Sequence, residues 1–340
     1  MLKLYTDPKF LIPMYRKQVF PLLFDLWYVR NEYLLEKFEL VYRVEECDIA
    51  VVPIDIAHYD SAKGQPRLAK FIGTALDLGK KVWVYTAGDF GQTIDPRVNT
   101  FRTGGFHSKL NDSTFILPSF IGDPYEFLEK DFKTIPKNNK IQIGFVGNAN
   151  NSLVKKIKEY LVYIKYNCKR FTKQLQTDFQ PYYPSSIKRY QFLKRLMVNS
   201  NIITDFILRK KYHGGVNKTE DHKKFKLEFF QNMEHNPYVF CIRGVGNFSV
   251  RLYETLAMGR IPVVIDTDFR LPLINSINWD NHIVLVQEHS LEQQLLGFHH
   301  KISEIDFEQI QMQNRELWLK KLRRIEYFVA IYDRFTLESN

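Results

Sequence analysis

The sequence predicts an α/β protein with two domains, each built around a parallel sheet. In the first third of the chain, short apolar segments alternate with helical segments, which is the order typical of a parallel sheet. A second alternating series follows, and the polar segment Lys133–Lys140 with its single proline separates the two series. The chain has 340 residues and is 45% hydrophobic, which is enough for two domains of ordinary size.

The first series contains two predicted buried strands, at Cys47–Ile54 and Lys81–Tyr85. Arg67–Leu78 between them is predicted to be a helix, because a glycine follows it where C-terminal glycines usually stand. Residues 88–124 are rich in Gly, Thr, Ser, Asn and Pro, which indicates loops over one end of the sheet. The short apolar segment Thr114–Leu117 interrupts these loops.

The second series contains further predicted strands at Ile141–Val146, Asn201–Leu208, Tyr238–Ile242, Ile261–Ile265 and Ile283–Val286. After them, Phe307–Tyr332 has the pattern of one long helix. Its apolar residues lie on one stripe with the spacing i, i+4, i+7, i+11 and i+14: Trp318, Leu322, Ile325, Val329 and Tyr332. The stripe predicts an ordinary packed helix.

The net charge of +10 and the pI near 9.2 indicate acidic partners. Much of the excess lies in basic pairs between Lys155 and Lys226. Such pairs usually form a solvated helix face, but they also suit an anionic nucleotide sugar or an anionic membrane that carries a lipid-linked acceptor. The chain has no RRM, KH, helix-turn-helix or zinc-finger pattern, so we expect no nucleic-acid partner.

Three features favour a location of the protein in the reducing cytoplasm. Peripheral contact with the inner face of the membrane is compatible with this location. Asp7-Pro8 interrupts the N-terminus before a signal-peptide core forms. The chain lacks a run of the roughly 18 apolar residues that span a bilayer. Cys47, Cys168 and Cys241 are odd in number and scattered, without metal-ligand spacing.

The segment Arg243–Asp268 (RGVGNFSVRLYETLAMGRIPVVIDTD) carries the functional information. A predicted strand, a glycine-containing loop, a helix and another strand form a βαβ unit, whose loop lies where such sheets bind ligands. Arg251 falls in the first turn of the helix, where the macrodipole disfavours a cation, and Arg243 begins the loop. An anion, most simply a phosphate, would bind both side chains. The alternative is that Arg251 pairs with Glu254, three residues later on the same helix face.

This segment resembles the signature of the exostosin family of glycosyltransferases. The matching residues are Gly244, Arg251, Glu254, Gly259, Ile261-Pro262-Val263, Asp266 or Asp268, Leu271-Pro272 and Ile277-Asn278-Trp279. The match covers Tyr238–Val286, and elsewhere only the order of elements agrees. Animal exostosins are anchored in the Golgi and usually have disulfides. We expect neither feature in this chain, so the substrates of animal exostosins do not carry over to it.

The resemblance implies the GT-B architecture, with two Rossmann-like domains and a last helix that returns to the first domain. The expected boundaries are 1–136 for an N-terminal acceptor-side domain, 137–310 for a nucleotide-sugar-binding domain and 311–340 for the returning helix. Reaction would take place in the cleft between the domains.

The resemblance also assigns roles to the loop and the helix start. Arg243 and Arg251 would hold the diphosphate of the donor, with a UDP-sugar as the expected donor. Gly244 and Gly246 would let the backbone come close to it. Two further residues, Asn247 and Ser249, are candidates to cap the helix and leave its N–H groups for phosphate oxygens. Glu254 would accept hydrogen bonds from the ribose hydroxyls.

Asp266-Thr267-Asp268 has the DxD pattern that binds Mg²⁺ or Mn²⁺ in the other common glycosyltransferase fold. Here it closes a strand after the nucleotide loop, where the resembled family has an acidic residue without a metal role. We therefore expect a metal-independent enzyme with no cofactor.

The catalytic base is expected in the loop after the first buried strand, with Asp55 and His58 as the leading candidates. Asp89 and His107, which follow later strands, are alternatives, and His213 beside a Gly-Gly pair is a further one. Loop Asp and His residues also commonly cap helices or form turns.

The expected function is that of an inverting hexosyl- or pentosyltransferase. It would move a sugar from a nucleotide sugar to a glycan or lipid-linked glycan in polysaccharide assembly. A nucleotide-binding regulatory Rossmann protein without transfer activity is the alternative. An NAD-dependent oxidoreductase is disfavoured: Asp266 stands where an NAD-binding acid would, but the loop lacks the third glycine and two arginines are surplus.

Overall fold

Two separate parallel sheets organise the protein. The computed structural model describes residues 1–61, 63–209 and 219–337. The N-terminal sheet has six strands in the order β2-β1-β3-β4-β5-β6: β1 (Leu2–Tyr5), β2 (Phe38–Val41), β3 (Ile49–Val51), β4 (Lys81–Thr86), β5 (Asn99–Arg102) and β6 (Thr114–Ile116). The C-terminal sheet has five in the order β11-β10-β9-β7-β8: β7 (Ile141–Asn148), β8 (Ile202–Arg209), β9 (Tyr238–Cys241), β10 (Ile261–Ile265) and β11 (Val284–Val286).

Helices connect and cover these strands. In chain order they are α1 (Pro21–Leu23), α2 (Glu32–Leu35), α3 (Gly64–Asp77), α4 (Pro124–Leu128), α5 (Leu153–Phe171), α6 (Ser185–Met197), α7 (Thr219–His235), α8 (Val250–Ala257), α9 (Leu291–Lys301), α10 (Glu304–Leu317) and α11 (Arg324–Leu337). Every residue of β9 and β10 is buried, as expected for central parallel strands covered on both faces. The α/β class with two parallel sheets is therefore confirmed.

The sequence analysis missed three strands, β1, β2 and β5. The first two are only four residues long, and each carries a charged residue between apolar ones. In β5 the buried Arg102 replaces the apolar residue that marks a buried strand. Its guanidinium pairs with Asp178 at 2.6 Å and donates to the Gly104 carbonyl at 2.6 Å. A buried charge of this kind is stable only with such partners, and the charged partner, Asp178, is distant in sequence.

The order of strands reverses once in each sheet. In the C-terminal sheet β7 pairs with β8 on one side and with β9 on the other. In the N-terminal sheet β1 lies between β2 and β3. Ligands of open α/β sheets bind outside the carboxyl ends of the strands at such a reversal. The loop that begins at Arg243 directly follows β9 and so lies at this position.

The predicted C-terminal helix is interrupted, which corrects the expectation of one continuous stripe. Arg323 adopts an extended conformation with ψ 158° between a π-helical turn and α11. Trp318 and Leu322, before the break, pack in a core with Tyr253 of the C-terminal domain. Side chains of α11 pack instead in the N-terminal core, chiefly those of Tyr327, Phe328, Ile331 and Phe335. The expected return to the first domain is confirmed, and it begins at the break.

An ion pair fixes the start of the returning helix. The Arg324 guanidinium donates to both carboxylate oxygens of Asp25, at 2.6 Å each. The Asp25 side chain is only 1% exposed, and burial raises the pKa of its carboxyl although Arg324 opposes the rise. The carboxylate therefore depends on Arg324 to remain charged at that depth.

The connection between the sheets packs on the C-terminal domain before the first strand of that domain begins. Tyr125 in α4 donates through its hydroxyl to the Met258 carbonyl at 3.1 Å. Within the predicted linker Lys133–Lys140, the Ile135 backbone exchanges hydrogen bonds with the side chain of Gln311 in α10. The domain boundary near residue 136 stays a prediction. Hydrogen bonds to the C-terminal domain hold the predicted linker in place.

We predict that Arg324→Met destabilises the protein by on the order of 3 kcal/mol, because it leaves the Asp25 carboxylate buried without a cation. Arg323→Met is the matched control, since Arg323 pairs with Glu326 while 46% exposed and such surface pairs contribute little. Urea unfolding followed by circular dichroism measures both. The double variant Asp25→Asn with Arg324→Met is expected to regain part of the loss. Equal effects of the two single variants would contradict this account of the ion pair.

Candidate functional site

The candidate site lies at the carboxyl ends of β7 and β9, where the strand order of the C-terminal sheet reverses. Residues 242–249 connect β9 to α8, and this segment contacts N-terminal loops across the cleft. An antiparallel bridge between Phe106 and Phe269 joins the two domains beside it. The site is thus built from loops of both domains.

Arg243 is buried in this cleft and is 4% exposed. Its guanidinium carbon lies 4.5 Å from the ring centre of Tyr183 and 5.3 Å from that of Phe106. One terminal nitrogen donates to the Val245 carbonyl at 2.8 Å, whereas Nε is buried without a hydrogen-bond partner among the described residues. Burial lowers the pKa of the Arg243 guanidinium to about 10, although Tyr183 and Asp89 oppose this. A buried cation with an unused donor favours an anion here.

Arg251 extends from the first turn of α8 to the end of β7. Its Nη2 donates to the Val146 carbonyl at 2.6 Å, and its guanidinium lies 4.1 Å from the ring centre of Phe145. Gly147 makes room for it, because a Cβ there would lie 2.8 Å from Nη2. The helix thus places a guanidinium over the point where the strand order reverses.

Glu254 is half-buried one turn further along α8. No described residue donates a hydrogen bond to the Glu254 carboxylate. The Arg251 guanidinium donates to the Val146 carbonyl. Burial raises the pKa of Glu254 from its ordinary 4.5 to about 7, against the attraction of Arg251 and Lys226. A buried carboxyl with a raised pKa beside a guanidinium group is typical of a functional site.

The two loop glycines differ in what surrounds them. At Gly244 an added Cβ would meet nothing within 4 Å, so the backbone there is open to a ligand. At Gly246 a Cβ would lie 2.3 Å from the Asp89 carbonyl oxygen, which belongs to the opposite domain. Gly246 is therefore required for the contact between the domains, a reason that the sequence did not show.

Asn247 and Ser249 do not cap α8. Ser249 occupies the N-cap position, but no side chain makes a capping hydrogen bond there. The Asn247 side chain is fully buried and donates to the carbonyls of Gly105, Thr267 and Asp268, at 3.3, 2.9 and 3.2 Å. Its carbonyl oxygen accepts from the Thr267 hydroxyl at 2.8 Å. Asn247 holds the loop in place, and the first N–H groups of α8 have no side-chain cap.

Both carboxylates of the DxD pattern bind protein donors. Asp266 accepts from the Asp268 backbone N–H and from Gln287 Nε2, each at 2.9 Å. Asp268 accepts from the backbone N–H of Ser108 at 3.1 Å and from its hydroxyl. Within the described ranges no group of three or more His, Cys, Asp or Glu side chains is placed to hold a metal ion. These contacts assign the pattern a structural role at the domain contact.

The leading base candidates have structural partners or lie at the surface. Asp55 caps a 3₁₀ helix at Ile56–Tyr59 by accepting from the Ala57 N–H at 3.1 Å, and it also accepts from the Ala87 N–H at 3.2 Å. His58 is exposed on that helix and makes no side-chain hydrogen bond to the described residues. Neither side chain has a described contact with the C-terminal domain.

Among the alternative bases, Asp89 lies next to the loop that follows β9. Its backbone carbonyl touches Gly246, and its exposed side chain interacts electrostatically with Arg243. The surrounding protein raises the pKa of the Asp89 carboxyl, and Arg243 opposes the rise. His107 is occupied, since its Nδ1 accepts from Arg270 Nε at 3.2 Å. His213 lies outside the described residues.

The sequence analysis missed Arg189, a second-domain arginine at the same sheet edge. Its Nη1 donates to the Asn148 carbonyl at 2.6 Å and its Nη2 to the Arg243 carbonyl at 3.4 Å. Tyr183, whose ring lies against Arg243, was also missed. The only sequence signal was the basic pair Lys188-Arg189, which does not distinguish a surface residue from this one.

No family model matches the chain, and a comparison with curated proteins also finds no match. Among solved structures, the chain is similar to a glycosyltransferase from Rickettsia africae ESF-5, at 11% identity and a TM-score of 0.39, over 98% of this chain and 97% of that one. It is similar to WaaG, a glycosyltransferase involved in lipopolysaccharide biosynthesis, at 11% identity and a TM-score of 0.32, over 90% and 80%. A UDP-GlcNAc 2-epimerase from Methanocaldococcus jannaschii matches at 9% identity and a TM-score of 0.24, over 98% and 99%.

Sequence identities and TM-scores this low carry no conclusion about function. None of these structures adds specific support to the exostosin resemblance. The functional inference therefore rests on this chain's own residues.

We predict that Glu254→Gln stabilises the protein above pH 7 and changes its stability little below pH 4.5. The folded pKa of about 7 exceeds the ordinary 4.5, so the folded state binds more protons in this window and wild-type stability falls as pH rises through it. The full effect of a rise from 4.5 to about 7 on the stability is on the order of 3 kcal/mol.

Urea unfolding of both proteins at pH 5 and pH 8 measures this difference. Gln keeps the size and shape of the side chain but cannot ionise. A gain that is the same at both pH values would show that the cost does not come from ionised Glu254.

Proposed function

We propose that this protein transfers a sugar from a nucleotide-sugar donor to a glycan or lipid-linked glycan acceptor. The observation that carries the proposal is the Glu254 carboxyl, which accepts no hydrogen bond from a described residue and lies near Arg251 on the same helix. Arg243 begins the loop before this helix, where the strand order reverses. Diphosphate and ribose are adjacent in every nucleoside diphosphate sugar. Guanidinium groups beside a carboxylate are complementary to these two parts.

The diphosphate would bind between the arginines and the first turn of α8. Arg243 has an unused, buried Nε in this position, and Gly244 leaves the backbone open. The uncapped N–H groups at the start of α8 supply further donors. We include Arg189 in this group, because its guanidinium reaches the Arg243 carbonyl. As the bond to the sugar breaks, these groups would stabilise the charge on the departing diphosphate.

Glu254 would accept hydrogen bonds from the ribose hydroxyls. Two donors at the carboxylate would supply the bonds that it lacks among the described residues and would favour its ionised form. A UDP-sugar is our preferred donor, as in the sequence analysis. Polysaccharide assembly in the cytoplasm is the setting that we propose for the reaction.

We propose Asp89 as the base of an inverting reaction, ahead of the earlier candidates Asp55 and His58. Asp89 faces the nucleotide loop from the acceptor side and is open to solvent, so an acceptor hydroxyl has access to it. Its raised pKa moves it toward the range in which a carboxylate accepts a proton well near neutrality. Asp55 is held by two backbone N–H groups.

The reaction proposed here needs no metal, because Arg243 and Arg251 supply the positive charge that a cation gives elsewhere. The carboxylates of Asp266 and Asp268 are engaged with protein donors, which supports this view. All assays are therefore run with EDTA. Activity that required added Mn²⁺ would return the metal role to the DxD pattern.

We predict that Arg251→Ala lowers the turnover of the preferred nucleotide sugar by a factor on the order of 10²–10³, as loss of one oxyanion donor does. Glu254→Ala should mainly raise the Michaelis constant, because the charge of the ribose does not change during reaction. Donor hydrolysis in a screen of nucleotide sugars provides the assay. Ile305→Ala, an exposed site on the distant helix α10, is the control.

Circular dichroism establishes that each variant is folded. Full activity in folded Arg251→Ala and Glu254→Ala would remove the donor from this site. Nucleotide binding by the wild type without hydrolysis or transfer for any donor would support the regulatory alternative.

We predict that Asp89→Asn reduces transfer to the acceptor by on the order of 10²–10⁴-fold and leaves the dissociation constant for the nucleotide nearly unchanged. The amide keeps the size of the side chain but does not accept a proton. Asp55→Asn and His58→Gln are compared in the same assay. A greater loss in either of these than in Asp89→Asn would assign the base to that residue.

A further inference from the structure

Helix α5 packs with its polar side toward the protein. The half-buried residues of this helix recur at helical spacing and are all polar or charged apart from one tyrosine: Lys155, Glu159, Tyr163, Asn167 and Arg170. None of its 19 residues is buried. An ordinary surface helix has the opposite arrangement, with its apolar stripe toward the core.

Specific contacts hold this polar face. Lys155 Nζ donates to Asn148 Oδ1 and to the Ser186 hydroxyl, at 2.8 Å each. At the other end, Arg170 Nε donates to the Thr177 carbonyl at 3.1 Å, and its guanidinium lies 5.0 Å from the ring centre of Phe90 in the N-terminal domain. The orientation of the helix is therefore fixed at both ends.

The outer face of α5 is apolar and exposed. Ile157, Leu161, Ile164, Cys168 and Phe171 follow the spacing i, i+4, i+7, i+11 and i+14. Leu153 and Val154 in the first turn are 75% and 77% exposed, and Phe171 at the other end is 92% exposed. A contiguous apolar stripe of this length on a surface marks an interaction site.

Lysines border this stripe. Lys158, Lys165 and Lys169 are exposed along one side of it, and Lys156 is exposed on the other. Glu159, the one acidic residue of the helix, is on the inner face, 4.0 Å from Lys155. Exposed lysines beside an apolar stripe suit an anionic bilayer, since their stems lie along the apolar layer while the ammonium groups reach the headgroups.

We propose that α5 lies in the surface of an anionic lipid bilayer, with its apolar stripe among the acyl chains. A second copy of this helix is a poorer partner, because pairing the stripes would bring both sets of lysines together. No helix of the described residues is long and apolar enough to cross a membrane. Because the polar face of α5 is bonded to the protein, only its outer face would enter the bilayer, and the contact would be interfacial. Bilayer binding does not depend on the proposed transfer reaction.

If the proposed function holds, the position of α5 would place a bound membrane near the site of reaction. The helix follows β7, and Lys155 in its first turn is bonded to Asn148 at the carboxyl end of that strand. The donor site proposed above lies at the same sheet edge. A membrane held by α5 would therefore bring a lipid-linked acceptor close to the cleft.

Co-sedimentation with vesicles tests the proposal. We expect the wild type to sediment with phosphatidylcholine vesicles that contain phosphatidylglycerol, more weakly as salt increases, and poorly with phosphatidylcholine alone. The variant Ile157→Glu with Leu161→Glu should bind about tenfold or more weakly, because two side chains that would enter the acyl layer become charged. Val198→Glu with Ile305→Glu alters two exposed apolar residues away from α5 and carries the same change in net charge.

The control should bind like the wild type, and both variants should retain donor hydrolysis in solution if the wild type has it. A wild type that stays in the supernatant, or a control that loses as much binding as the α5 variant, would overturn the proposal. So would a wild-type dimer in light scattering that the α5 variant abolishes without any change in vesicle binding. Vesicle binding without donor hydrolysis would support the membrane surface and count against the proposed function alone.

Discussion

The buried carboxamide of Asn247 is the contact on which the candidate site depends. It joins the loop after β9 to the Gly105 carbonyl of the N-terminal domain and to the carbonyls of Thr267 and Asp268 after β10. A buried amide that makes all of these bonds resists displacement, since breaking them would leave polar groups without partners in a dry environment. Gly246 then lets the opposite domain approach to van der Waals distance. The conformation of the loop after β9 is thus set by both domains.

Around this fixed loop, the protein holds charges that are costly to bury. Burial lowers the pKa of Arg243 to about 10 and raises that of Glu254 to about 7. Both shifts oppose the ionised forms that the proposed nucleotide would bind, so burying these charges costs stability. A ligand with phosphate and hydroxyl groups would restore the missing interactions, and this is the physical basis for placing a nucleoside diphosphate sugar there.

The same sheet edge connects the site to the outer surface of α5. The polar face of α5 bonds to Asn148 and Ser186 near the proposed donor site, and the apolar stripe of the helix faces outward. The basic pairs between Lys155 and Lys226, which the charge pattern alone left open between a solvated face and a membrane, include the first turn of this helix. The orientation of the helix, rather than its composition, favours the bilayer.

Sequence by itself determined the α/β class, the strands of the C-terminal sheet and the positions of Arg251 and Glu254, because local periodicity and turn chemistry decide these. Only the tertiary structure showed which side chains make structural hydrogen bonds within the protein. Asn247 was a candidate binding residue and Asp55 a candidate base, and both side chains bond to backbone groups. Asn247 donates to the carbonyls of Gly105 and Thr267, and Asp55 accepts from the N–H groups of Ala57 and Ala87. Arg102 in β5 and the break at Arg323 depend likewise on distant partners and on the choice between two cores. Contacts of this kind follow from packing, which no local pattern records.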